Sequence, residues 1–105
     1  MSYGSVLLAL ADPTRRSIIE RLRAGELAAG EVGRELPMSQ PAVSKHLRIL
    51  REAGLVRERR SGTRRIYALD QRGLAELRTW IEGLWDAPLA AFQATAEETY
   101  EPEDR

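Results

Sequence analysis

Apolar residues recur every three or four positions along the first quarter of the chain, the spacing of helices that bury one face. Residues 3–10 form one such helical group. Asp12 then supplies an N-cap and Pro13 occupies the first position of a second helix, which Gly25 is suited to end. The pattern therefore predicts two consecutive helices at the start of the chain.

The middle of the chain predicts a short helix and a longer one joined by a tight turn. Residues 28–36 carry apolar positions four apart, although two glycines lower their helix propensity, and Pro37 ends the segment. Ser39 is a favourable N-cap for the longer helix, which is expected to extend to Ala53 and to be closed by Gly54. Such a short connection is typical of a helix-turn-helix, whose second helix enters the major groove of DNA.

The hydrophobic period changes after Leu55, where two loosely alternating segments flank a turn signal at residues 61–63. This pattern predicts a β-hairpin with basic arms. Residues 71–86 return to the helical period, and Pro88 is expected to kink or break that helix before a further apolar segment. The predicted fold class is mainly α with a small β-hairpin, in the order of elements of a winged helix-turn-helix.

The helix that begins after Ser39 has a polar and basic face opposite its apolar stripe. At 100° per residue, Val43, Leu47 and Leu50 share the buried side. The other side and its flanks carry hydroxyl, amide, ammonium and guanidinium groups, from Gln40, Ser44, Lys45, Arg48 and Arg51. Such groups bond base edges and phosphates, and the helix N-terminus at Ser39 favours a phosphate. We interpret this face as a major-groove reader; the alternative is an amphipathic helix whose polar face only meets solvent.

Four arginines, Arg59, Arg60, Arg64 and Arg65, surround the hairpin turn. Like charges so close together repel one another unless an anion is near, and a phosphate backbone would supply that anion. We therefore interpret the hairpin as a DNA-binding wing. The alternative is that the charges protect an exposed sheet edge from aggregation.

The formal net charge of zero conceals an uneven distribution of charge along the chain. Residues 34–65 contain nine basic and three acidic residues, a balance of +6, whereas residues 82–105 contain seven acids and one arginine, a balance of −6. A polyanionic partner would therefore bind the middle of the chain. Two solvated faces without any partner would have the same composition.

The last helical region carries more large apolar side chains than a small core readily covers. Trp80, Trp85 and Phe92 are expected to face a second subunit together with the first helix, with an intramolecular core as the alternative. The residues expected at this interface are Val6, Leu7, Leu10, Ile81, Leu84, Trp85 and Phe92. A dimer would match a two-fold operator.

The sequence offers little for metal binding or covalent chemistry. It has no cysteine, which excludes disulfides and thiolate metal sites, and His46 is its only histidine. His46 flanks the buried stripe, which favours a packed role over a phosphate contact. Because Ser44 points to a different face, no catalytic constellation forms, and neither an enzymatic activity nor a cofactor is expected.

The chain is expected to form one domain in the cytoplasm. Its 105 residues suit a single DNA-binding and dimerisation domain, which we place at residues 1–96, followed by an acidic, frayed tail at residues 97–105. The N-terminal segment lacks the basic start of a signal peptide, and no apolar run is long enough to span a membrane. No membrane partner is therefore expected.

Three segments, LADPTRRSIIERL, PMSQPAVSKHLRILREAGLV and RRSGTRRIYAL, together resemble the ArsR family of bacterial winged-helix repressors. The resemblance covers residues 5–85, and the block SQPAVSKHLRILREAGLV is highly specific to that family. It implies a homodimer that is joined by its first and last helices and binds an inverted-repeat operator in double-stranded DNA. The DNA contacts of the family correspond to Gln40, Ser44 and Lys45, and its wing to residues 59–65.

Metal-sensing members of the family use a Glu-Leu-Cys-Val-Cys segment before the turn, and residues 26–30 read ELAAG at that place. Both thiol positions are absent, and residues 71–95 contain no histidine for the alternative site on the last helix. The chain therefore resembles the metal-free branch of the family, and its sequence does not identify a small-molecule effector.

Two functions follow from these patterns. The first is an operator-binding repressor without metal control, whose affinity for DNA should fall steeply with salt. The second is a winged-helix module that binds another protein, motivated by the acidic tail and the exposed apolar stripe. Binding by such a module should survive reversal of the charges of the wing arginines.

Overall fold

The computed structural model of the chain describes residues 3–99, with side chains described for residues 3–86. The helices and the hairpin follow the order that the sequence predicts for a winged helix-turn-helix, with one additional short strand before the third helix. They are α1 (Tyr3–Leu10), α2 (Pro13–Arg23), β1 (Leu27–Ala28), α3 (Ala29–Glu35), α4 (Gln40–Glu52), β2 (Val56–Ser61), β3 (Arg64–Leu69) and α5 (Gln71–Thr99). No helix in this described part of the chain is both long and apolar enough to cross a membrane.

The joint between α1 and α2 confirms the predicted N-cap. The Asp12 carboxylate accepts hydrogen bonds from the backbone N–H groups of Thr14 at 2.7 Å and Arg15 at 3.3 Å. The Arg15 guanidinium donates back to the carbonyl oxygens of Leu8 and Ala9, at 3.2 and 2.7 Å. Because the last carbonyls of a helix have no partner inside it, these bonds fasten the end of α1 to the start of α2.

The wing belongs to a three-stranded antiparallel sheet in the order β1-β3-β2. Ser61 pairs with Arg64, so the hairpin turns through two residues. Gly62, the first of them, has a φ of +66°, which suits the turn geometry favoured in two-residue hairpins. The two-residue strand β1 was not predicted, because Leu27 and Ala28 are too few to show an alternating period; only pairing with β3 makes them a strand.

One hydrophobic core lies between the helices and the sheet. Val43, Leu47 and Leu50 of α4 are at most 1% exposed, which confirms the predicted buried stripe. The other elements contribute Val6, Ala9, Ile18, Leu22, Val32, Leu55, Val56 and Tyr67. Because the first four helices and both strands of the hairpin contribute to it, the core fixes the orientation of α4 relative to the hairpin.

Helix α5 continues through Pro88, so the predicted break at that residue is wrong. A proline removes one backbone donor, and the turns on either side of it can keep their hydrogen bonds and remain helical. The helix reaches Thr99, and residues 100–105 of the expected acidic tail lie outside the described residues.

The start of α5 lies directly against the end of α4. The backbone N–H of Gly73 donates to the carbonyl oxygen of Gly54 at 2.9 Å. A Cβ atom on Gly73 would lie 2.7 Å from the carbonyl oxygen of Ala53, a distance that atoms in a folded protein do not tolerate. Only glycine at position 73 allows this close approach.

Asp70, just before the helix, is 5% exposed. The hydrogen bond and the charge of the Arg72 side chain hold the pKa of Asp70 below its usual value.

We expect Gly73→Ala to lower the free energy of unfolding by about 1–3 kcal/mol, because the added methyl group overpacks the α4–α5 contact. Urea denaturation at a fixed protein concentration would measure it. Gly83→Ala, on the same helix, is the matched control: its Cβ would meet nothing within 4 Å. The control should raise stability by up to about 1 kcal/mol through helix propensity. Equal stability of the Gly73→Ala variant and the parent would contradict the close approach.

Candidate DNA interface

Helix α4 is oriented so that its predicted reading face meets solvent. The Ser39 hydroxyl oxygen accepts a hydrogen bond from the backbone N–H of Ala42 at 3.3 Å, which confirms the predicted N-cap. The ten side chains proposed for DNA contact are all exposed: Ser39, Gln40, Ser44, Lys45, Arg48, Arg51, Arg59, Arg60, Arg64 and Arg65. Burial of the opposite stripe leaves this basic face available to a large ligand.

A groove of about 430 Å³ connects the reading helix with the wing. Its lining combines α4 side chains with residues of α3 and β3: Ala29, Pro41, Ser44, Lys45, Arg48, Arg51, Arg65 and Tyr67. Four of these carry a positive charge. Tyr67 could not be identified as a groove residue from the sequence, because only the pairing of β3 between two strands brings it there.

Gln40 does not extend freely from the helix. A Cβ atom on Gly33 would lie 2.1 Å from Gln40 Nε2, so the amide group lies across the glycine of α3. The close approach therefore depends on Gly33 having no side chain. It places the Gln40 amide at the angle between the two helices of the helix-turn-helix.

Three of the four wing arginines already have carboxylate partners, contrary to the expectation that their charges are uncompensated. Arg59 pairs with Glu26; Arg64 lies 3.5 Å from Glu31, and Arg65 lies 3.3 Å from Glu58. Glu26 and Glu31 are more than 30 residues away along the chain, and only the sheet order brings them to the hairpin. Among the described residues, Arg60 has no acidic group within ion-pair distance.

Glu58 links the reading helix to the wing. Its carboxylate accepts hydrogen bonds from Tyr67 Oη at 2.8 Å, Arg51 Nη1 at 2.9 Å and Arg65 Nη1 at 3.3 Å. The hydrogen bond from Tyr67, followed by the charges of the two arginines, holds the pKa of Glu58 below its usual value. Burial and the neighbouring carboxylate raise the pKa of Tyr67. The network is therefore charged and intact at neutral pH.

His46 is half-buried on the flank of the α4 stripe, as predicted. Its Nδ1 lies 3.4 Å from Arg15 Nη1. This contact links the reading helix to the same arginine that holds the end of α1. In the described part of the chain, no three histidine, cysteine or acidic side chains lie close enough together to bind a metal ion.

The expected dimer interface needs two corrections. Val6 is 0% exposed and belongs to the core of its own subunit, because it points away from the outer side of α1. Trp80 stacks on Tyr3 of the same chain, with ring centroids 4.9 Å apart and planes within 9°, so it joins α1 to α5 internally. The intramolecular alternative is therefore correct for this tryptophan.

The other expected interface residues differ in exposure. On α1, Leu7 is 42% exposed and Leu10 is half-buried against the core; the neighbouring Leu8, which was not predicted, is 73% exposed. On α5, Ile81, Leu84 and Trp85 are 48%, 52% and 73% exposed. The side chain of Phe92 lies outside those that the structure describes.

Comparison with known proteins assigns the chain to a family. A helix-turn-helix domain family matches residues 10–59, the span from α1 to the wing. The chain is 55% identical over 84 residues to the HTH-type transcriptional regulator Rv2034 of Mycobacterium tuberculosis, covering 80% of this chain and 78% of that protein. It is 34% identical over 78 residues to the transcriptional repressor SdpR of Bacillus subtilis, covering 74% and 87% of the two chains.

Solved structures agree with these relatives. An ArsR-like transcriptional regulator from Rhodococcus sp. RHA1 matches with a TM-score of 0.75 and 32% identity, covering 90% of this chain and 92% of that one. The chain belongs to the ArsR family of transcriptional regulators. It is a DNA-binding regulator with a winged helix-turn-helix, in which α3 and α4 form the helix-turn-helix and the β2–β3 hairpin forms the wing.

The two positions at which the sequence resemblance led us to look for metal-binding thiols lie where β1 meets α3. Ala28 is buried in β1 and Gly30 lies in the first turn of α3. Neither residue has a side chain that could ligate a metal ion.

Proposed function

We propose that the protein is a homodimeric repressor that binds a two-fold operator, with one α4 helix and one wing in each half-site. The observation that carries this proposal is the shared groove, in which basic side chains of α4 and β3 face the same space. A single helix could be basic by chance. A reading helix and a wing that border one groove fit a major groove and its adjacent phosphates together.

The residues of the interface divide by the chemistry they offer. Arg48 lies in the middle of the exposed face of α4, where a guanidinium can bond guanine through two acceptors, and Ser44 and Lys45 lie beside it. Gln40 and Ser39 stand at the N-terminus of α4, which favours a phosphate or a nearby base edge. Arg51 and the four wing arginines are suited to backbone phosphates, which fix the position of the protein without reading sequence.

Two variants separate base reading from phosphate binding. Arg48→Ala should weaken operator binding by about 1–3 kcal/mol and relax the preference for operator over scrambled DNA. Arg60→Gln should weaken binding to both DNAs alike. It should also make the negative slope of log K against log salt less steep by about 0.9. Fluorescence anisotropy titrations at several salt concentrations measure both quantities.

Arg23→Gln is the control for Arg60, because Arg23 lies on α2 and pairs with Glu20 at 2.9 Å. It should leave the slope unchanged. If the Arg48→Ala variant kept the full operator preference of the parent, Arg48 would not be a residue that reads a base.

The proposed dimer interface is formed by α1 and α5. These helices contact each other, and Leu7, Leu8, Ile81, Leu84 and Trp85 leave apolar surface uncovered beside that contact. Apolar side chains exposed on adjacent helices are typical of a subunit interface. A second copy of the chain fits them, because in a two-fold dimer the same apolar patch meets itself, and the pairing supplies the two α4 helices that a two-fold operator requires.

Trp85→Glu should convert the protein to a monomer and weaken operator binding by at least about tenfold, because a buried unpaired charge costs several kcal/mol. Analytical ultracentrifugation and anisotropy would measure the two effects. Thr79→Glu introduces the same charge on the opposite side of α5, about 190° around the helix from the middle of the apolar stripe, and should remain dimeric. A Trp85→Glu variant that sediments as a dimer would rule out this interface.

We further propose that operator binding is independent of metal. The proposal rests on the absence of cysteine from the sequence and on Ala28 and Gly30 at the thiol positions of the family. Arsenite requires thiolates, and protein zinc sites are built mainly from cysteine and histidine, of which each subunit has no cysteine and one histidine. Adding Zn²⁺ or arsenite to EDTA-treated protein should leave the operator Kd unchanged. A clear loss of affinity on adding either one would contradict the proposal.

A further inference from the structure

Glu58 is an acidic side chain at the centre of a basic interface. It lies on β2, its side chain is 21% exposed, and its carboxylate bonds three of the residues that line the groove between α4 and the wing. Its Oε1 accepts from Arg51, and its Oε2 accepts from both Arg65 and Tyr67. One carboxylate thus receives donors from the last turn of the reading helix and from the strand that follows the wing turn.

The anchoring of Glu58 is firmer than that of a surface ion pair. Glu58 is the direct cross-strand neighbour of Tyr67, a residue that is 6% exposed and belongs to the core. The Tyr67 hydroxyl therefore fixes the carboxylate relative to the core, and the carboxylate in turn fixes the arginines. Exposed pairs between flexible side chains contribute little, whereas a partly buried network with a fixed member restricts all of its partners.

Both arginines keep donors for a second ligand. The contacts with Glu58 use only Nη1 of Arg51 and Nη1 of Arg65, and each guanidinium has five N–H donors in a rigid plane. The two side chains are 40% and 55% exposed, and both line the groove. A phosphate oxygen in this groove could be reached from the helix on one side and from the wing on the other.

We propose that Glu58 is a positioning residue for DNA binding, which holds Arg51 and Arg65 so that they bracket one backbone phosphate between the reading helix and the wing. This inference rests on the DNA contacts proposed above. As a consequence, Glu58 would set the depth of α4 in the major groove, because a phosphate fixed beside Arg51 determines how far the helix can enter. Specificity then depends on a residue that touches no base.

The sign of the effect distinguishes positioning from simple charge. A carboxylate beside DNA repels phosphates, so removing its charge should tighten binding to every sequence if charge alone matters. If Glu58 positions the arginines, its removal should weaken binding to the operator and leave binding to scrambled DNA unchanged or tighter. The ratio of the two affinities therefore carries the test.

The experiment compares Glu58→Gln with Glu52→Gln in the full chain. Glu52 lies in the last turn of α4, is exposed, and forms no ion pair within the described part of the chain. Its substitution thus removes one negative charge next to Arg51 in the sequence without removing a partner of Arg51 or Arg65. The specific probe is a duplex that the parent protein selects from a random-sequence library, and the second probe is the same duplex with its sequence scrambled.

For Glu58→Gln we expect the operator-to-scrambled affinity ratio to fall about tenfold, the scale of coupling within one hydrogen-bond network. Glu52→Gln should keep the ratio of the parent. In an Arg51→Gln/Arg65→Gln background, Glu58→Gln should cause no further fall. This last result is expected only if Glu58 acts through the two arginines. If Glu58 had a purely structural role, its substitution would lower the ratio in this background as well.

Equal affinity ratios for Glu58→Gln and Glu52→Gln would overturn the proposal. So would a tenfold fall of the ratio when Glu58→Gln is added to the variant that lacks both arginines. If Glu58→Gln does not fold, Tyr67→Phe decides instead, since it removes the hydroxyl anchor and leaves the core packing intact. A reduced ratio in that variant supports positioning, and an unchanged one overturns it. A parent protein that selects no duplex would refute the proposed operator binding itself, which is a separate outcome.

Discussion

The burial of one side of α4 determines which side chains this protein can present to DNA. Val43, Leu47 and Leu50 are almost wholly removed from solvent, and each such side chain contributes about 1.5–3 kcal/mol to stability. Rotating the helix by even one residue would expose part of this stripe and bury charge in its place. The reading face is therefore fixed by what lies opposite it, and Ser44, Lys45 and Arg48 face outward because the core excludes every other orientation.

Short contacts at the edges of α4 connect this orientation to the rest of the chain. Gly73 brings the start of α5 against the end of α4, and the His46–Arg15 contact reaches the end of α1. Since α1 and α5 carry the exposed apolar residues, the surface proposed for dimerisation is joined to the reading helix without an intervening flexible loop. A rigid joint of this kind fixes the distance between two reading helices in a dimer, and that distance must match the spacing of two half-sites on DNA.

Features that depend on local periodicity could be predicted from the sequence. The Asp12 and Ser39 caps, the α4 stripe and the hairpin turn each depend on residues within a few positions of one another, and the structure confirms them. The features that could not be predicted depend on contacts between distant segments. The partners of the wing arginines, the Tyr3–Trp80 stack and the strand β1 arise only when the sheet and the helices have assembled. Val6 was misplaced for the same reason, because periodicity shows that a residue is apolar but not whether its partner is in the same chain.

The carboxylates around the wing change how its electrostatics should be understood. Four uncompensated arginines at one turn would destabilise the hairpin in the absence of DNA. Because Glu26, Glu31 and Glu58 pair with three of them, the wing can keep its shape in the free protein. Binding to a phosphate backbone then adds a second anion to guanidinium groups that already have one carboxylate partner and retain free donors. The carboxylates therefore cancel part of the electrostatic attraction between the wing and DNA. An interface of this kind gives up some affinity for DNA in general, and the geometry of its remaining donors therefore has more influence on which sequence it prefers.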